Sequence, residues 1–250
     1  MTDLSHPKTS SRAVTTDSEL KPIVGQSNIE VYRKSTREEA IKTRIVQAYS
    51  NFVIRVYCHI RFRIINSQFL ETIEQHMPSQ ARILDIGCGF GLFANYFAMN
   101  DTSRAVYGAD IDSSRILEAQ QTAEKLGLTN VHFTVADAAN YTFADKFDAV
   151  VMLDLLHHID RSNANRLIEA VYHHLREGGV YLIKDVNVRP YWKMLFTFIL
   201  DKLMDRERSV HYRDAKAWKA LLYEVGFRDV KIYYINDYLP YPHVLLVCQK

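Results

Sequence analysis

From residue 82 onward the sequence alternates between two kinds of segment. RILDI (82–86), AVYGAD (105–110), VHFTVAD (131–137), FDAVVMLD (147–154) and VYLIKDV (180–186) are short apolar runs of strand length. Residues 91–99, SRILEAQQTAEKLG (114–127) and NANRLIEAVYHHLREGG (163–179) lie between them and carry helical periodicity, the last two ending at glycine. DAKAWKALLYEVGF (214–227) reads as a further helix, and DVKIYYI (229–235) and HVLLVCQ (243–249) as closing strands. Strands alternating with helices predict an α/β fold, a doubly wound, mostly parallel seven-stranded sheet with helices on both faces. Such sheets bind ligands beyond the carboxyl ends of their strands, where the strand order reverses.

The first strand runs straight into glycines. ILDIGCGFG (83–91) places Gly87, Gly89 and Gly91 after an apolar run ending in Asp85 and Ile86. Glycine weakens regular structure, so a cluster signals a special backbone shape or a close approach by a ligand. A dinucleotide site wants G-x-G-x-x-G; here the third glycine comes one residue early, which opposes a nicotinamide oxidoreductase. No phosphate-loop lysine follows, which opposes a nucleoside triphosphate.

Upstream of the alternation the chain changes character. Residues 1–28 are polar and aperiodic and read as a disordered tail. Residues 29–79 read as a helical lid. Within it 36–76 divides into two helices, Thr36 and Glu39 resemble a capping box, and Pro78 closes the segment. Residues 80–250 read as the α/β domain, with 188–213 an inserted segment. The net charge of +2 gives no reason to expect nucleic acid. Cys58, Cys88 and Cys248 are odd in number and form no CxxC, so reduced thiols and a cytoplasmic setting are expected. No apolar stretch is long enough to span a bilayer.

The ordered set of motifs resembles the class I S-adenosylmethionine-dependent methyltransferases, in their small-molecule branch. ILDIGCGFG resembles their first motif, YGADID (107–112) the acidic motif after strand two, and VADAAN (135–140) the aspartate ending strand three. FDAVVMLDLLHHI (147–159) resembles the fourth-strand motif and LREGGVYLIKDV (175–186) the glycine turn before strand five. The resemblance implies a Rossmann-like fold and S-adenosylmethionine as cofactor, with S-adenosylhomocysteine as product. It implies that Gly87, Cys88 and Gly89 approach the methionyl part, and that Asp85 and the Leu153 carbonyl take its ammonium group. Asp110 would accept the ribose hydroxyls, Ile111 would pack on adenine, and Asp137 with the Ala138 amide would read the adenine edge. Asp112 competes with Asp110 for the ribose; its distance from Gly108 favours Asp110. Cys88 has no nearby base or cation and reads as a small loop residue, not a nucleophile.

Three segments are candidates to hold the acceptor. LDLLHHI (153–159) offers His157 and His158 as bases or orienting groups, the alternative being capping or packing. RPYWKMLFTFILDKLM (189–204) is apolar and aromatic, which favours a greasy pocket or a lipid-facing surface. The third is 44–70, which offers Tyr49 and contains no acid, while Lys42, Arg44, Arg55, Arg61 and Arg63 interleave with aromatic residues. A basic, aromatic helix over 42–63 suits an anionic membrane surface or an acyl carrier protein, or else is a packed lid with a solvated basic face. Strand four lacks [DNS]PP[YFW], against adenine or glutamine nitrogen as the acceptor, and no metal-ligand spacing is present. The expected activity is methyl transfer to a small, hydrophobic or lipid-like acceptor. A carrier- or membrane-bound acyl or aryl substrate and a non-catalytic cofactor-binding scaffold are the alternatives.

Overall fold

The structure is a computed structural model that describes residues 26–137, 145–188, 191, 192, 195, 211–234 and 242–250. Three helices lead, α1 (Gln26–Ala48), α2 (Phe52–Ile64) and α3 (Ser67–His76). Then follow β1 (Arg82–Ile86), α4 (Leu92–Asn100), β2 (Ala105–Asp110), α5 (Ser113–Leu126), β3 (Val131–Val135) and β4 (Phe147–Leu153). The chain closes with α6 (Arg161–His174), β5 (Leu175–Val186), α7 (Ala215–Val225), β6 (Arg228–Tyr234) and β7 (His243–Gln249). The seven strands form one sheet in the order β3-β2-β1-β4-β5-β7-β6. β7 runs antiparallel to both neighbours; the other pairings are parallel. The Rossmann-like, doubly wound expectation holds, and the order reverses between β1 and β4.

Local chemistry accounts for these elements. β1 and β4 are covered on both faces, so they read as continuous apolar runs instead of alternating; Ile83, Ile86 and Ala149 to Met152 are fully buried. Side chains of Asn51, Asn66, Asp112, Asp160 and Asp214 each accept a backbone N–H in the first turn of α2, α3, α5, α6 and α7. Gly127 closes α5 in the left-handed region at φ +70°. Two cores flank the sheet. One joins α1–α4 to it through Ile45, Tyr49, Cys58, Phe62, Phe69, Leu70 and Phe97; the other joins α6 and α7 through Leu167, Ile168, Trp218 and Leu222. Arg104, nearly buried, donates to the Glu74 carboxylate (2.8 Å) and the Pro78 carbonyl (3.0 Å), tying α3 to the start of β2.

Several boundaries differ from the sequence reading. The N-terminal segment makes three helices, not two, because Asn51 and Asn66 each start a new one. Thr36 lies inside α1, so no capping box forms there. The helix expected over 163–179 ends at His174: Leu175 must be buried opposite Phe147, and the backbone turns extended to put it there. Gly178 and Gly179 are therefore part of a strand, not a helix stop. Most of the expected tail and most of the 188–213 insertion lie outside the described residues. All three cysteines are buried and free.

Candidate functional site

The site forms at the carboxyl edge of β1, β2 and β4, where the strand order reverses. Gly87 and Cys88 leave β1 and donate their N–H groups to the Ala109 carbonyl (2.8 and 3.1 Å), folding the loop over the end of β2. Gly89 then donates to an Asp110 carboxylate oxygen (2.8 Å), while the other oxygen accepts from the Asp112 N–H (3.0 Å). Gly87, Gly89 and Gly91 all adopt positive φ. Their surroundings differ. A Cβ at Gly91 would stand 2.7 Å from Phe133 and Ala119, and one at Gly108 would stand 2.6 Å from Phe133. These two glycines make room for the protein's own Phe133 ring. Gly89 has nothing within 4 Å of its absent Cβ, so the loop opens to space there.

Two carboxylates frame that opening. Asp85 is 2% exposed, and burial pushes its carboxyl up to about 7, with neighbouring Asp110 adding to the rise and Arg61 opposing it. Such a group is short of a cation. Asp110 ends β2 with its carboxylate anchored by two backbone donors, and carboxylate oxygens have further lone pairs to offer. Asp112 is the N-cap of α5, accepting from Ser114 and Arg115, which leaves Asp110 as the acid at the strand end. Ile111 stands 67% exposed beside it, and Asp137 is exposed past the end of β3. Ala138 lies outside the described residues. Leu153 is buried at the end of β4. The Cys88 thiol is buried and its pKa is raised well above normal by burial, then by Asp85 and Asp110, which fits an inert loop residue.

On the far side of the opening, the segment after β4 holds a buried polar cluster. Asp154, at φ +59°, accepts from Arg61 of α2 (2.6 Å) and from Lys184 of β5. Burial alone would raise the Asp154 carboxyl; Lys184 and Arg61 outweigh it and hold the group far below the usual carboxylate range. Beside this triad the Nδ1 atom of buried His157 meets an Asp185 carboxylate oxygen, which also accepts from the Val186 N–H (2.7 Å). The imidazole stacks against Tyr212 at 5.8 Å and touches His158 at 4.0 Å between ring centroids. Asp154, His157 and Asp185 lie within 4.8 Å of one another, a spacing that a metal ion accepts, yet Arg61 and Lys184 already supply the positive charge at Asp154.

Two sequence expectations change here. Tyr49 is fully buried, its pKa raised well above normal chiefly by burial, and its hydroxyl donates to the Phe90 carbonyl (2.8 Å). It braces the glycine loop from behind and does not face an acceptor. Arg61 and Lys42 are not part of a solvated basic face: Arg61 points inward to Asp154, and Lys42 is buried against Glu38 and Glu39. Asp185, Lys184 and Asp154 escaped the sequence reading altogether. The signal that could have found them was charge inside apolar strand runs, LDLL and LIKDV.

A family profile described as "Methyltransferase domain" matches residues 83–179, the stretch from the glycine loop to the turn before the long apolar part of β5. Over that stretch the chain is similar to the methyltransferase-domain family. Among curated relatives, the chain is 31% identical over 118 residues to a cyclopropane-fatty-acyl-phospholipid synthase of Escherichia coli (strain K12), covering 44% of this chain and 29% of that one. It is 29% identical over 138 residues to a ubiquinone biosynthesis O-methyltransferase of Coxiella burnetii (strain Dugway 5J108-111), covering 54% of this chain and 56% of that one. The chain thus spans little more than half, or less, of these relatives' lengths. The fold matches that of the S-adenosylmethionine-dependent methyltransferase SibL in its apo form, with TM-score 0.66, 17% identity, and coverage of 92% of this chain and 71% of the other. No helix among the described residues is long and apolar enough to cross a membrane.

Proposed function

We propose that this methyltransferase transfers the methyl group of S-adenosylmethionine to a small, hydrophobic or lipid-like acceptor held beside the ends of β4 and β5. The observation that carries the acceptor class is the apolar surround of the site. Leu155 stands against Gly87, with side-chain atoms 3.0 Å from where a Cβ would be, and the Tyr57 ring meets Phe90 edge-on at 5.6 Å. Tyr191, Trp192 and Leu195, all exposed, follow the carboxyl end of β5. The relative named for fatty-acyl phospholipids supports the same class.

The residues present fit the cofactor. Gly89 leaves the room, Asp85 offers a buried carboxylate to the ammonium, and the Leu153 carbonyl joins it in this reading. Asp110 takes the ribose hydroxyls, Ile111 covers one adenine face, and Asp137 meets the adenine edge. The cofactor supplies an electrophilic methyl group on a sulfonium; the protein supplies alignment and a base. His157 is that base. With its Nδ1 proton directed at Asp185, Nε2 carries the lone pair that removes the acceptor's proton. His158 packs on it and orients the acceptor.

The test is calorimetric titration with S-adenosylhomocysteine, NADH serving as control, followed by transfer of isotopically labelled methyl groups into cell extract. Binding of S-adenosylhomocysteine alone, with label partitioning into organic solvent, is expected. Label confined to water-soluble products would overturn the acceptor class. Cofactor binding without any transfer would make the chain a scaffold.

A further inference from the structure

We propose that the outer face of α2 docks on an anionic lipid surface and seats the mouth of the site against it. The proposal rests on the lipid-like acceptor reading for its purpose, while its geometry stands apart from that reading. A helix packed on a globular core turns apolar residues inward and charged ones outward. α2 buries Ile54, Cys58 and Phe62 as expected, but its opposite face is apolar too. Phe52 is 74% exposed, Val53 71% and Ile60 50%, with Val56 and Tyr57 also open to solvent. Phe52, Val56 and Ile60 are spaced i, i+4, i+8 and form one row; Val53 and Tyr57 lie beside it. Arg55, His59 and Arg63 form the row on the other flank, and Arg63 and His59 are exposed. Exposed Arg44 adds a further cation from near the end of α1, and no acid occurs between Glu39 and Glu71.

Large apolar side chains standing in water beside cations match the boundary of an anionic bilayer, where the former enter the acyl edge and the latter meet headgroups. An acidic protein partner would instead be held mainly by free cations. Here Lys42 and Arg61 are turned into ion pairs within the fold, and Arg55 donates to the Tyr49 carbonyl (2.7 Å), so outward apolar area dominates. The face is also next to the site. Tyr57 touches Phe90 of the glycine loop, and Arg61 on the inner face holds Asp154. A second group of exposed side chains comes soon after β5 in the chain. Tyr191, Trp192 and Leu195 follow β5, whose end lies beside that of β4 through the Leu153–Lys184 register. Tyr and Trp favour the headgroup level of a bilayer.

The experiment is vesicle co-sedimentation of the full chain with phosphatidylcholine alone and with phosphatidylcholine plus phosphatidylglycerol. Wild type should bind the anionic vesicles and not the neutral ones. Phe52→Asp with Ile60→Asp should weaken binding at least about tenfold, and Arg63→Gln about fivefold, the worth of one basic residue near such a surface. Affinity for S-adenosylhomocysteine should stay unchanged in both, because none of these side chains lines the cofactor site. Absence of vesicle binding by folded wild type would overturn the proposal. So would binding indifferent to the substitutions, a wild-type dimer that Phe52→Asp dissociates, or binding to an acidic carrier protein but not to vesicles. Vesicle binding by a chain that methylates only water-soluble acceptors would keep the docking face and sink the lipid-acceptor reading, so the two fail separately.

Discussion

Replacing Asp85 by Asn should stabilise the free protein and impair cofactor binding. The carboxyl is almost fully buried at the end of β1 and titrates near 7, against 3.8 for an ordinary aspartate, chiefly through desolvation and then through Asp110. Because the folded-state pKa is raised, its contribution to stability is fully present below the unfolded-state pKa. It is lost as pH rises through the folded-state pKa. Between those two values the unfolded chain releases a proton that the folded chain retains. Over the roughly three pH units that separate them, at about 1.36 kcal/mol each, the loss on going from acid to neutral pH is about 4 kcal/mol. A neutral asparagine at this position carries no such loss.

The assay is urea unfolding of wild type and Asp85→Asn from pH 4 to pH 8. The difference between the two, which cancels the histidines and other shared groups, should grow with pH and level off above about 7, where the buried carboxyl has ionised. Binding should show the reverse preference. An ammonium group beside Asp85 favours the ionised form, so wild-type affinity for S-adenosylhomocysteine should climb with pH and flatten above that same value. Asp85→Asn should bind more weakly, with that pH dependence removed. Parallel stability curves for the two proteins would refute the reasoning, because they would mean that Asp85 is ionised in the free fold at no cost.

Three further outcomes can be measured. Gly108→Ala puts a methyl 2.6 Å from the Phe133 ring and should cost about 1–3 kcal/mol in urea unfolding; Phe133→Leu in the same chain should recover part of it. Asp154→Asn leaves Arg61 and Lys184 without their shared counter-ion and should cost about 3–5 kcal/mol, more than Arg61→Met, which leaves the Asp154–Lys184 pair in place. Asp110→Ala should weaken S-adenosylhomocysteine binding by about 1.5–3 kcal/mol, read by calorimetry, since it removes a charged acceptor and frees the Gly89 amide.

The parts of this protein that follow from local rules were open to reading. Strand runs and the glycine loop are each set by residues a few positions apart, whereas of the helix caps only the stop at Gly127 was read, the box expected at Thr36 falling inside α1. Asp110 was preferred to Asp112 on its distance from Gly108, and the structure gives Asp112 the separate task of capping α5. What stayed hidden depends on contacts distant in sequence. α6 stops at His174 because Leu175 is needed opposite Phe147, which no periodicity within 163–179 encodes. Arg61 finds Asp154 across 93 positions, so its charge looked like part of a wet face. Tyr49 looked like an acceptor-side hydroxyl, and only the fold shows it bonded to the Phe90 carbonyl behind the loop.

The electrostatics of the site have one common thread. The free fold places Asp110 close enough to Asp85 to disfavour charge there, and among the described residues it gives Asp85 no direct cation: Arg61, whose charge reaches it, is bound to Asp154. On the other side, Arg61 and Lys184 share Asp154, and Asp185 adds a second negative charge near Lys184. The uncompensated negative charge therefore sits at the glycine loop, while the cluster after β4 is balanced. A ligand ammonium beside Asp85 would relieve the loop. A neutral ligand would not. On this argument the ammonium of the cofactor's methionyl part is recognised as much by the imbalance left in the empty fold as by hydrogen bonds, and Asp85→Asn should weaken S-adenosylhomocysteine more than it weakens adenosine, which has no such group. Equal losses for the two ligands, measured by calorimetry, would refute it.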